Sequence, residues 1–183
     1  MIVFLIIVLL ILLIPVIRFA VMRVKLITEL KRICKSRNFE FLPTHKLWFT
    51  SGIQDKNCDL YIKTPSNLYS VKLCGMMRRS CEIHFKNSRA YTVKRIRVWF
   101  QMFRGFDFST YTDKSKPEYD FAYNMREEDR AVKLTPILLM CPVCVDIFLI
   151  KGNEKVSVFP GDDIGECLFY NKTGFEELLM SEE

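Results

Sequence analysis

The chain has 183 residues, is 50% apolar, and carries 27 Lys and Arg against 21 Asp and Glu, a formal charge of +6. With 15 Phe, 7 Tyr, 7 Gly and 7 Pro it is neither a disordered nor a low-complexity chain, and it has the apolar residues for one packed core. Charge is segregated: residues 18–105 hold 19 basic against 5 acidic side chains, and residues 106–183 hold 8 against 16.

Met1 to Ile17 contain no charged side chain and are almost entirely Ile, Leu and Val. At 1.5 Å per residue, this run spans about 25 Å as a helix, and Phe19 to Met22 add a turn if Arg18 snorkels. No basic residue precedes it and no small-x-small cleavage site follows, which argues against a cleaved signal. The expectation is a single-pass transmembrane anchor over 1–22, ahead of one domain over 23–183. Arg18, Arg23, Lys25, Lys31 and Arg32 follow the apolar run, so the N-terminus is expected outside and the domain on the cytoplasmic side. The same residues would meet anionic headgroups, making the bilayer the first partner. Nucleic acid is the other partner a basic surface could take.

Phe19, Met22, Leu26, Leu30 and Ile33 recur at helical spacing, so the helix continues, or restarts as an amphipathic one, to about Arg37, with Asn38 ending it. Phe39–Leu42 and Leu47–Thr50 read as strands. Cys58–Lys63 and Leu68–Cys74 form a hairpin about Thr64-Pro-Ser-Asn67, and Tyr91–Phe103 is the longest strand candidate. Residues 104–132 are polar and Tyr-rich and read as a long loop with one helical turn. Strands follow near 135–141, 144–151 and 155–159, the last two joined by a turn at Lys151-Gly-Asn-Glu154. A short closing helix covers Phe175–Met180, with Thr173 as its N-cap. The fold class is α+β: an anchor helix, then a mostly β-sheet domain with a helix at each end.

The seven cysteines are odd in number and lie mostly in apolar runs, which suits reduced, core-filling thiols. Cys141-Pro-Val-Cys144 sits between two strand-like runs rather than at a helix start, where a redox pair would be activated. No second CxxC supplies the remaining ligands of a zinc site. His45 and His84 stand alone, and no phosphate-binding glycine loop or GxSxG elbow occurs. Asp162 and Asp163 fall in Pro160-Gly-Asp-Asp-Ile-Gly165, where they have turn chemistry to do. Spacing alone therefore marks no metal site and no cofactor.

Asp59 opens one strand of the hairpin, Ser70-Val71-Lys72 lies on the other, and Glu29 is on the preceding helix. This arrangement resembles the core of the PD-(D/E)XK, or restriction-endonuclease-like, superfamily, over about residues 24–74. The resemblance implies Asp59 as a metal ligand, Lys72 as the lysine that stabilises developing phosphate charge, and Glu29 as an added helix acid. The second acid of the motif is replaced by Ser70, a poor ligand for Mg²⁺ or Mn²⁺, unless Glu82 substitutes for it. The plainer reading is a surface hairpin with Asp59 and Lys72 on its wet face. The expected function is a membrane-anchored, non-catalytic interaction domain. Its alternative is a membrane-tethered, Mg- or Mn-dependent nuclease-like hydrolase.

Overall fold

A computed structural model describes residues 2–44, 57–74, 81–86, 90–95, 110–115, 120–141 and 146–182. The expected strand over 47–50, His45, Cys144 and the far end of the expected strand over 91–103 lie outside them. Helix α1 (Ile2–Arg37) is one unbroken element that passes through the expected boundary at residues 22 and 23. Leu26, Ile27, Leu30 and Cys34 recur on one face and are buried. The helix ends as the pattern predicts: Asn38 takes a left-handed φ of 58°, and the Phe39 N–H reaches back to the Cys34 carbonyl at 2.8 Å.

Among the described residues no helix is long and apolar enough to cross a membrane. This overturns the transmembrane anchor, and with it the outward N-terminus and the cytoplasmic placement read from the basic residues. Arg23 gives the physical reason. The charge-free run by itself spans about 25 Å, short of a hydrocarbon core of about 30 Å, so a span would need the residues beyond Arg18. Arg23 is 4% exposed and bonded inside the domain, so the helix from there on belongs to the domain's own core. Leu13, Ile14, Ile17 and Val21 lie exposed on the preceding turns.

Among the described residues, ten strands form two five-stranded sheets. The first contains β1 (Glu40–Pro43), β2 (Leu60–Lys63), β3 (Leu68–Cys74), β7 (Leu134–Met140) and β10 (Leu168–Asn171), side by side in the order β1-β2-β3-β7-β10. β1, β2 and β3 pair antiparallel, whereas β3, β7 and β10 run parallel. The second contains β4 (Cys81–Phe85), β5 (Ala90–Arg95), β6 (Thr110–Ser115), β8 (Asp146–Lys151) and β9 (Glu154–Ser157), in the order β6-β5-β4-β8-β9. β4 and β8 pair parallel, as β3 and β7 do, so both sheets are built on the same two crossings of the chain. Helix α2 (Lys172–Ser181) closes the fold.

The period-2 alternation of the strands sorts side chains into two cores. Leu60, Ile62, Tyr69, Val71, Leu73, Ile137 and Leu139 pack against α1 and α2. The alternate residues of the same strands, Tyr61, Leu68, Cys74, Leu138 and Met140, pack against Ile83, Phe85, Tyr91 and Val93 of the second sheet. The result is three layers: helices, first sheet, second sheet. The first sheet is therefore covered on both faces, and β3 is buried along its whole length.

The α+β class, the hairpin, the strands near 135–157 and the two terminal helices agree with the pattern. Three features differ. β4 and β10 carry no expected strand. β6 occupies part of the expected loop over 104–132, whose helical turn is the short 3-10 segment Glu127–Asp129. The cap of α2 is Asn171, not Thr173: the Asn171 side chain accepts the Gly174 N–H at 2.7 Å.

Candidate functional site

The carboxyl ends of the parallel strands β3 and β7 lie together, since Cys74 is paired with Met140 and the Cys141 N–H donates to the Cys74 carbonyl at 2.7 Å. β2 runs antiparallel to β3, so its start, and Asp59 just before it, falls at this same edge. The Asp59 N–H donates to the Val71 carbonyl at 2.9 Å, extending the hairpin ladder by one residue. Asp59 and Lys72 are thus brought together as the hairpin pattern expects.

Their setting is the opposite of a wet hairpin face. Asp59 and Lys72 are both 0% exposed. On β3, Lys72 shares the parity of Leu68 and Cys74, and so points between the two sheets. Lys72 Nζ lies 3.5 Å from Asp59 Oδ1 and donates to the Asn57 carbonyl at 2.6 Å. The other carboxylate oxygen, Asp59 Oδ2, accepts the Leu73 N–H at 2.6 Å. Over the top, the Thr44 hydroxyl donates toward the Cys58 and Asp59 carbonyls at 2.7 and 3.0 Å. A buried carboxylate and ammonium are tolerable only when paired and hydrogen-bonded, and both conditions hold here.

Arg23 is the third charge of this cluster, and the sequence reading placed it among headgroups instead. Its guanidinium donates to the Leu73 carbonyl at 2.6 Å from the helix side of the sheet. Burial pulls the Arg23 pKa down, and the nearby Asp59 carboxylate opposes that most, ahead of the Cys74 and Cys141 thiols. The Asp59 carboxylate thus lies near two buried cations, Lys72 and Arg23.

The other residues of the endonuclease-like pattern do not join them. Ser70 turns its hydroxyl to the Phe121 carbonyl at 2.5 Å, which the Tyr61 hydroxyl also reaches at 2.9 Å. Glu29 instead lies between the helices, paired with Lys172. That contact lowers the Glu29 pKa, while burial raises that of Glu176 beside it. Glu82 sits on the second sheet, 3.0 Å from His84 Nε2 and 3.6 Å from Lys155 Nζ. No group of three or more His, Cys, Asp or Glu that could hold a metal occurs among the described residues.

Of the basic residues after the apolar run, Arg18, Lys25, Lys31 and Arg32 are exposed, and only Arg23 is buried. Lys31 lies 5.5 Å above the Phe41 ring. Cys141, the described half of the CxxC, is buried with its thiol pushed up by burial, against a smaller pull from Lys172 and Arg23. Asp162 and Asp163 accept the Phe159 and Gly165 N–H groups at 2.8 and 2.7 Å, the turn chemistry read from their sequence. Sequence reasoning missed Arg23 because a basic residue after an apolar run has the signature of a flank. A signal existed: Arg23 lies on the same helix face as Leu26, Ile27 and Leu30, three to seven residues on.

The chain matches no protein-family model, no curated protein and no solved structure.

Proposed function

We propose that this chain is a non-catalytic interaction module, built on a helix-and-hairpin scaffold of endonuclease-like type whose acid and lysine have become a structural ion pair. The observation that carries this reading is the complete burial of Asp59 and Lys72 together. Metal-assisted hydrolysis needs an open coordination position, several oxygen ligands, and room for a water and a phosphate. Asp59 spends one oxygen on the Leu73 N–H and faces Lys72 and Arg23 with its charge. Ser70 is turned to Phe121, and Glu29 and Glu82 are engaged elsewhere. The domain then acts through its surface and its partners, without turnover.

The test is cleavage of single- and double-stranded DNA and RNA with Mg²⁺ or Mn²⁺, comparing the wild-type chain with Asp59→Asn and Lys72→Met. No cleavage by any of the three is expected. Metal-dependent cleavage by the wild type that both substitutions abolish would overturn the reading and establish the hydrolase. Nucleic-acid binding without cleavage, weakening steeply with salt, would assign a partner to the basic half of the chain.

A further inference from the structure

The turn between β2 and β3 grips a carboxylate. Thr64 and Asn67 close this turn on themselves: the Thr64 N–H donates to the Asn67 carbonyl at 2.9 Å, and the Asn67 N–H donates to Thr64 Oγ1 at 3.1 Å. Four side-chain donors then converge on Glu182, the residue that follows α2. Thr64 Oγ1 and Ser66 Oγ reach Glu182 Oε2 at 3.0 and 2.7 Å. Asn67 Nδ2 reaches Oε1 at 3.2 Å, and the Tyr69 hydroxyl bonds the same oxygen. Both oxygens are thus served twice, and none of the four donors carries a charge.

Two features separate this arrangement from an ordinary surface contact. The first is preorganisation. The turn is shaped by its own hydrogen bonds, Thr64 and Tyr69 are buried, and the Tyr69 ring stands edge-on to Phe175 at 6.2 Å. The turn therefore holds Thr64, Asn67 and Tyr69 in place, while Ser66 is exposed and the Thr64 hydroxyl also lies 3.2 Å from the Asn67 carbonyl. The second is the occupant. Glu182 has left the helix, with extended backbone (φ −68°, ψ 129°), so its side chain enters the niche from the end of an element and not from inside one.

We propose that the Thr64–Tyr69 turn is a carboxylate-recognition site, filled in cis by Glu182, that takes the acidic side chain of a partner peptide when Glu182 is withdrawn. This names a contact for the interaction module and rests on that reading. Neutral donors in a preformed pocket recognise a carboxylate by direction, not by net charge, as in backbone capture of peptide carboxylates. While Glu182 is tethered, its effective concentration exceeds that of any free acid, so the wild-type site is closed to competitors. An acidic partner enters only if it also pulls the end of α2 away, which makes Glu182 a plug as well as an anchor.

The experiment uses the full chain with Glu182→Ala and two probes, acetate and the acetylated peptide Ser-Glu-Glu, each compared with chloride at equal ionic strength. A ligand that fills the vacated niche stabilises the folded chain by mass action. Both probes should raise the melting temperature of Glu182→Ala, leave the wild type unmoved, and lose their effect when Asn67→Ala and Tyr69→Phe are added. Amide chemical shifts of Thr64, Ser66 and Asn67 should move saturably with the peptide in Glu182→Ala alone. If Glu182→Ala gains nothing from either probe, Glu182 is only a structural tether and the proposal fails. If the wild type responds as strongly as the variant, there is no plug, and the proposal fails in that form. Neither failure touches the reading of a non-catalytic module, which the cleavage assay judges separately.

Discussion

Arg23 and Leu73 are 50 positions apart in the chain and 2.6 Å apart in space, the guanidinium donating to the Leu73 carbonyl. The N–H of the same Leu73 donates to Asp59 Oδ2, so one residue of β3 is held between a buried cation and a buried anion. With Lys72 on the other side of Asp59, α1, the residue before β2, and β3 are tied together by one charged network. Removing one member of such a network leaves an uncompensated charge in the core, which costs far more than the pair itself contributes.

Lys72→Met should therefore destabilise the domain by about 3–5 kcal/mol in urea unfolding, and Asp59→Asn by more, because Asp59 answers both Lys72 and Arg23. The double substitution should cost clearly less than the sum of the two. A pair on an exposed hairpin face would be worth at most about 1 kcal/mol, and additive losses of that size would refute the buried network.

Glu182 gives the domain an acid-sensitive contact. Burial alone would raise its pKa, but the Ser66, Tyr69, Thr64 and Asn67 hydrogen bonds outweigh burial and hold it below the ordinary carboxylate value. A carboxyl depressed in the folded state binds its proton more weakly there than in the unfolded chain. Its stabilising effect is present above the unfolded value, about 4.3, and is lost as pH falls through the lower folded value. Melting curves between pH 6 and 3, about the range spanned by these values, should show a steeper acid loss for the wild type than for Glu182→Gln. Parallel curves would mean that the niche does not prefer the charged form.

The start of α2 should depend on Asn171 and not on Thr173. Asn171→Ala removes the side-chain acceptor of the Gly174 N–H and should cost about 1 kcal/mol, within the usual range for caps. Thr173 is exposed, and Thr173→Ala should change stability by no more than about 0.5 kcal/mol. Thermal unfolding of the two variants side by side distinguishes the caps.

Cys34, Cys58, Cys74, Cys81, Cys141 and Cys167 should behave as core residues, not as reactive thiols. All six are buried, and burial pushes the Cys34 thiol up to about 11. Thiolate is the attacking species, so alkylation at mild alkaline pH should be slow at these six positions in the folded chain and complete in denaturant. Peptide mapping by mass spectrometry reads each site. Rapid native labelling of Cys141 would restore a redox or metal-binding role for that thiol.

Periodicity and turn chemistry, which are local, were legible without the structure. The stripe of α1 from Phe19 to Ile33, the stop at Asn38, the hairpin about Thr64-Pro-Ser-Asn67 and the strand runs near 135–151 all declare themselves over a few residues. That Asp59 faces Lys72 also follows from the hairpin register alone. Whether that pair is wet or dry does not, because burial depends on what lies over the hairpin: a second sheet built from β4, β5 and β8, which close onto it from distant parts of the chain. The same limit explains Arg23. Its neighbours in sequence resemble a membrane flank, and only the arrival of β3, with the Leu73 carbonyl and Asp59, turns it into a core residue. Local pattern determined the helices, the hairpin and the strands near 135–157, though not β4, β6 or β10. Tertiary packing decided which charges are sealed inside, because the burial of Arg23, Asp59 and Lys72 depends on elements far away in the chain.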